Sequence, residues 1–313
     1  MENLLLSFNA IVPMFLIMAT GYLAQRLGVL KRRDVPGINR VAFRIFLPCL
    51  LFYNIYSSDL SSAVQTKTLV FAVCGVLAVF GAAVLIATHL VPQQDRKGVI
   101  AQGIFRSNFV ILGLPIAQAL AGDKSLGSVA ILIAVIVPIF NFLAVFVLEY
   151  YRGGNVKTGT VLLEIAKNPL IASSVLGILF QLLHLHLPGV AEKAVANLGS
   201  VATPLQLFLL GAFFRFRGMG RYRKPLVAVT AIKLFVTPAV ALSAAAAIGI
   251  RGVELIGLMG IFASPTAVNS FTMVQQMHCG DEELAGDIVV ATSAVSILSF
   301  FLWIFVFKTL GFF

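Results

Sequence analysis

The chain is a succession of apolar runs, each close to the length of a membrane-crossing helix, separated by short polar loops. Spanning the hydrocarbon core of a bilayer takes about 20 apolar residues. On that criterion the sequence predicts ten spans, at 9–27, 37–57, 68–91, 98–120, 126–149, 169–186, 195–214, 225–248, 253–277 and 285–307. Asn168-Pro169 has the form of an N-cap followed by proline at the first helical position, and Pro225 sits in another first turn. Between spans five and six, Lys157, Glu164 and Lys167 are mixed with Val161, Leu162, Leu163 and Ile165, which predicts a short interfacial helix.

Two spans break the apolar pattern near their middles. In span four, Gly103-Ile104-Phe105 runs into Arg106-Ser107-Asn108. In span nine, Gly260-Ile261-Phe262 runs into Ala263-Ser264-Pro265-Thr266, with Asn269 just beyond. Pro265 has no N–H, so it frees the carbonyl of Ile261, and its ring pushes Ser264 away from helical dihedrals. Pro115 is expected to free Ile111 in the same way. Paired interruptions at matching places in two halves mark a transporter binding site.

The echo extends along the chain. A shift of 156 places Pro13 on Pro169, Gly21 on Gly177, Gln25 on Gln181 and Pro48 on Pro204; a shift of 157 superposes the Gly-Ile-Phe copies and puts Asn108 on Pro265. Each half holds five spans. A direct repeat of an odd number of spans must place its second copy upside down in the bilayer. The predicted fold is therefore an all-α polytopic membrane protein of ten helices in a five-plus-five inverted repeat. Residues 1–150 form the first repeat, 151–168 a short cytoplasmic linker and 169–313 the second repeat.

Composition agrees: 59% of the 313 residues are hydrophobic and 12% charged, too few charges for a soluble surface. Met1 to Asn9 is short, acidic at Glu2 and leads into a full span, unlike a cleavable signal. The net charge of +10 does not point to nucleic acid, because the basic residues lie in short loops between spans. Loops 1–2, 3–4, 5–6 and 7–8 carry thirteen (Arg26, Lys31, Arg32, Arg33, Arg96, Lys97, Arg152, Lys157, Arg215, Arg217, Arg221, Arg223, Lys224) against four in the opposite loops (Lys67, Lys124, Lys193, Arg251). The odd loops are thus expected in the cytoplasm of an inner membrane, with both termini outside. Loop 9–10 dissents, since Asp281, Glu282 and Glu283 have no Lys or Arg near them in sequence. Cys49, Cys74 and Cys279 are scattered, and no HExxH or paired-aspartate motif lies in the spans, so no metal, cofactor or enzymatic activity is expected.

Broken helices present N-terminal N–H groups and partial positive charge, which suits a carboxylate. The expected substrate contacts are Arg106, Ser107, Asn108, Ser264, Pro265, Thr266 and Asn269, with Pro115 and Pro265 as helix breakers. Arg106, at mid-membrane depth, is functional by default. Arg44, Asn141 and Lys233 are secondary candidates. Pro48 and Pro204 are expected to shape a cavity wall, and Met273 and Met277 to pack or face lipid.

Ile38 to Tyr56, the Arg106-Ser107-Asn108 break followed by Gly113-Leu114-Pro115, Lys167-Asn168-Pro169-Leu170, and Ala263 to Val268 together resemble the auxin efflux carrier family over essentially the whole chain. The resemblance implies crossing broken helices four and nine, a scaffold and a transport bundle, and carriage of organic acid anions. The short loop between spans five and six is like that of bacterial malonate and malate permease-like members, and a small mono- or dicarboxylate is the expected substrate. A homodimer through the scaffold half is likewise implied by the resemblance alone. A bile-acid-type sodium symporter and a ligand-sensing membrane protein on a carrier fold are the alternatives. No nucleotide-binding loop is seen, so flux would be driven by gradients or facilitated.

Overall fold

The computed structural model describes residues 2–58, 65–121, 126–152, 167–214 and 220–312. The linker helix expected over 157–167 falls almost wholly outside them. Helices account for nearly everything described, and six are long and apolar enough to cross a membrane: Arg32–Tyr56, Thr66–Leu90, Ser128–Tyr151, Gly189–Phe213, Arg223–Ala247 and Glu282–Thr309.

In chain order, α1 is Glu2–Arg26, and a second segment comprises α2 (Val35–Val41), a π-helical turn at Ala42–Phe46 and α3 (Leu47–Tyr56). Then come α4 (Thr66–Leu90), α5 (Gln94–Phe105), α6 (Phe109–Ala121) and α7 (Leu126–Tyr151). After the linker follow α8 (Pro169–Leu182) and α9 (Gly189–Phe213). Next is a segment of α10 (Arg223–Ala231), a π-helical turn at Ile232–Val236 and α11 (Thr237–Ala247). The chain closes with α12 (Gly252–Ala263), α13 (Asn269–Met277) and α14 (Glu282–Thr309).

Prolines explain the π-helical turns. Pro48 and Pro238 cannot donate to the carbonyls four residues back, so the helix widens just before each. Leu47 reaches back five residues to the carbonyl of Ala42, and Thr237 to that of Ile232. The carbonyl of Leu234, freed by Pro238, accepts instead from the Trp303 indole N–H at 2.8 Å. At the start of α8 the Asn168 side chain accepts from the Leu170 N–H at 3.0 Å, the cap that its sequence promised. His184 ends that helix early, in the left-handed region at φ 48°.

The helices form two groups. α1, α3, α8 and α9 pack on one another, while α4 to α7 and α10 to α14 pack into a larger body that touches the first group most through α1 and also through α3, α8 and α9. Within the first group the contact is backbone to backbone: a Cβ on Gly21 would stand 1.9 Å from the Phe208 carbonyl oxygen, and one on Gly211 1.9 Å from that of Met18. Small residues draw membrane helices together in this way when lipid supplies no hydrophobic push.

The ends of the helices sort into two clusters. At one end, Arg96 pairs with Asp281 at 3.4 Å, Arg32 lies 3.9 Å from Glu283, and Arg152 donates to the Met277 carbonyl at 2.6 Å. At the other, Thr68 donates to Glu254 at 2.6 Å, Lys67 to the Ile248 carbonyl, and the Gly252 N–H to the Phe312 carbonyl at 2.8 Å. The acidic loop that looked unpartnered is met by arginines from loops 1–2 and 3–4. The sequence could not show this, because the partners are distant along the chain.

Candidate functional site

Segments four and nine are each two half-helices with a short irregular stretch between them. The half-helices are 12 and 13 residues long in the first and 12 and 9 in the second. At 1.5 Å per residue each covers about 14–20 Å, roughly half of the ~30 Å hydrocarbon core. Residues 98–109 and 255–268 are buried without a gap, whereas α4 faces outward over most of its surface. Irregular backbone is tolerated at membrane depth only where protein surrounds it.

The two irregular stretches meet and repair each other. A single antiparallel bridge pairs Ser107 with Thr266, and the Asn108 N–H donates to the Pro265 carbonyl at 2.8 Å. The Ile261 carbonyl, freed by Pro265, accepts from the Ser107 hydroxyl. The Gly103 carbonyl, orphaned at the end of α5, accepts from Thr266 Oγ1 at 2.7 Å. Ser264 takes an extended conformation (φ −64°, ψ 148°), as a residue before proline should, and its hydroxyl returns to Gly260 at 2.5 Å. The close approach of the two segments requires glycine: a Cβ on Gly260 would lie 3.0 Å from the Gly113 Cα.

Beside this junction is a small cavity of about 50 Å³. It lies between the two helix groups: Leu47, Leu50, Leu51 and Asn54 of α3 and Thr203 and Gln206 of α9 face the breaks and Val137, Phe140 and Asn141 of α7. Arg106, Ser107, Asn108 and Asn269 line it, as do the first residues of α6, Phe109 to Ile111. Ala267 and Val268, at the start of α13, complete the wall. Both second half-helices therefore begin at the cavity, with their positive dipole ends toward it.

Arg106 is buried, with Nη2 donating to Asn141 Oδ1 and Nη1 to Met273 Sδ, each at 2.5 Å. Lys233 is also buried, and its Nζ lies 2.5 Å from Ser107 Oγ. Among the described residues neither cation has a carboxylate partner. Among the described residues, five side-chain amide atoms of cavity-lining residues have no hydrogen-bond partner: the nitrogens Asn54 Nδ2, Asn108 Nδ2, Asn141 Nδ2 and Gln206 Nε2, and the oxygen Asn269 Oδ1. In Asn141 the Arg106 contact fixes the oxygen, so the free group is the donor.

Of the residues singled out by sequence, Arg106, Ser107, Asn108, Asn141 and Asn269 come together at the cavity. Ser264, Pro265 and Thr266 do not line it; they knit the junction behind it. Arg44 is exposed on the outer surface. α6 runs through position 115 without a break, so the interruption of span four lies at 106–108 and has no proline of its own. Met273 faces Arg106, not lipid. Asn54, Thr203 and Gln206 line the cavity without standing out in the sequence, although Thr203 and Gln206 lie beside Pro204, expected to shape a cavity wall.

A family model described as membrane transport protein matches residues 6–304. The chain belongs to this family, that of the auxin efflux carriers. It is 22% identical over 306 residues to an uncharacterized transporter of Methanothermobacter thermautotrophicus, covering 95% of this chain and 97% of the relative. It is 21% identical over 311 residues to an uncharacterized transporter of Methanocaldococcus jannaschii, covering 96% and 98%. The chain is thus a multi-pass membrane protein of a transporter family.

Proposed function

We propose that this carrier moves small organic acid anions, mono- or dicarboxylates such as malonate and malate, by alternating access. The observation that carries the reading is the set of unpartnered amide donors around a cavity where two half-helix N-termini and Arg106 converge. An unmet buried donor costs about 1–3 kcal/mol, and a carboxylate oxygen relieves that cost. Against these four donors stands one unmet amide acceptor, Asn269 Oδ1, so the balance of unmet groups favours an anion.

On this reading the chain is a five-plus-five inverted repeat, with halves at 1–150 and 169–313 joined by 151–168. Segments four and nine cross at their breaks in mid-membrane. The group of α1, α3, α8 and α9 is the scaffold and the candidate dimer surface, and the larger group is the transport body. The cavity has room for only a few water molecules, so the state described is closed around the site. Moving the transport body against the scaffold widens the cavity toward one side at a time. The basic cluster at one end supports reading that end as cytoplasmic in an inner membrane, with both termini outside.

The test is uptake of radiolabelled malonate or malate into proteoliposomes containing the purified protein. Saturable uptake supports the reading. Flux of neither these nor other small carboxylates, from a protein that remains folded, overturns it.

A further inference from the structure

Lys233 is not explained by the anion site. It lines no part of the cavity, yet its ammonium is drawn into the junction of the two breaks. Its Nζ lies 2.5 Å from Ser107 Oγ and 3.4 Å from the Phe105 carbonyl. Phe105 is the last residue of α5, so the ammonium sits at the negative pole of that half-helix. Ser107 passes the contact on: it accepts from Lys233 and donates to Ile261, the carbonyl that Pro265 frees on α12. One positive charge thus bridges the C-terminal ends of both first half-helices.

Its placement is built in. Lys233 belongs to the π-helical turn at Ile232–Val236, which Pro238 imposes and which Trp303 holds through the Leu234 carbonyl. π-Helical turns gather at functional sites. In carriers with broken helices, unwound carbonyls and half-helix C-termini are the groups that hold a coupling sodium ion.

We propose that the Lys233 ammonium occupies a cation site at the junction, as a tethered substitute for a bound sodium ion. The carrier therefore needs no dissolved cation to close its breaks around the substrate. This deepens the carrier reading, but the cation-rescue arm of its test does not depend on which anion is carried.

The purified wild-type protein and its Lys233→Ala and Lys233→Met variants are compared by thermal unfolding, without carboxylate, in sodium, potassium, methylammonium and choline chlorides at equal ionic strength. The wild type is expected to unfold at one temperature in all four salts. Lys233→Ala is expected to unfold earlier and to recover in sodium or methylammonium but not in choline, which is too large for the vacated space. Lys233→Met fills that space without charge and is expected to recover in none, with malonate uptake at least about tenfold lower. A wild type that gains stability saturably in sodium alone overturns the proposal. So does a folded Lys233→Ala indifferent to every cation, or a Lys233→Met that transports like the wild type. If cation rescue is found and no carboxylate binds, the anion reading fails and this one stands.

Discussion

The backbone N–H of Asn108 donates to the carbonyl of Pro265 across 2.8 Å, so the break in one helix is completed by the break in the other. Neither irregular stretch is stable alone in an apolar interior, because each exposes backbone groups with no water to meet them. The pairing turns two local defects into one rigid junction. It also fixes where the N-termini of α6 and α13 point.

Thr266 tests the junction itself. Thr266→Val keeps the shape but leaves the Gly103 carbonyl without its 2.7 Å donor. A buried carbonyl orphaned in this way costs about 1–3 kcal/mol. The variant should unfold at lower temperature, and uptake should fall because both half-helix ends shift.

Pro265→Ala restores an N–H that can reach Ile261 and removes the ring that holds Ser264 extended. The two halves of the broken segment should become more continuous, and the α13 N-terminus should turn away from the cavity. Malonate should then bind at least about tenfold more weakly, as read by titration of its thermal stabilisation, while expression is kept.

Gln206 allows a test in which stability and function move in opposite directions. Its amide nitrogen is buried with no partner and its residue lines the cavity. Gln206→Leu removes that unmet donor, so the protein without substrate should be as stable as the wild type or more so. Uptake should nevertheless drop, by about tenfold for a hydrogen bond of about 1.4 kcal/mol. A loss of both would mark Gln206 as a packing residue.

Much of this site is written in the sequence. The breaks are visible because Arg106-Ser107-Asn108 and Ser264-Pro265-Thr266 are residues that a lipid-facing helix avoids, and the proline dictates which carbonyl is freed. Which polar groups face the cavity is not visible. Ser264 and Thr266 look like ligands but are consumed by the backbone that the break exposes. Gln206 and Asn54 look like ordinary packing residues, because only the tertiary fold sets α9 and α3 across the cavity from the breaks. Counting along span eight places Lys233 within reach of the membrane surface. The π-helical turn instead directs its ammonium inward to Ser107.

Cys279 reports on the end of the molecule where the arginines gather. It is buried, and burial, with the negative charge of Glu149 adding to it, pushes its thiol up to about 12. In a Cys49→Ser, Cys74→Ser background it should resist maleimide at neutral pH, because the thiol is both covered and protonated. Labelling should quicken in conditions that open this end, and protection should return when substrate closes the site. Equal labelling in all conditions would mean that this end does not open.

The central claim is that anions bind in the cavity beside the junction of the two breaks. Titrating small carboxylates, malonate and malate first, into the purified wild-type protein and Asn108→Ala while following thermal unfolding tests it most directly. Binding to the native state raises apparent stability by RT ln(1 + [L]/Kd). The account predicts a rise in the wild type that sets in as carboxylate passes its Kd, and an affinity about tenfold weaker in Asn108→Ala, with both proteins equally stable before ligand is added. No rise with any carboxylate, or the same affinity in both proteins, would contradict it.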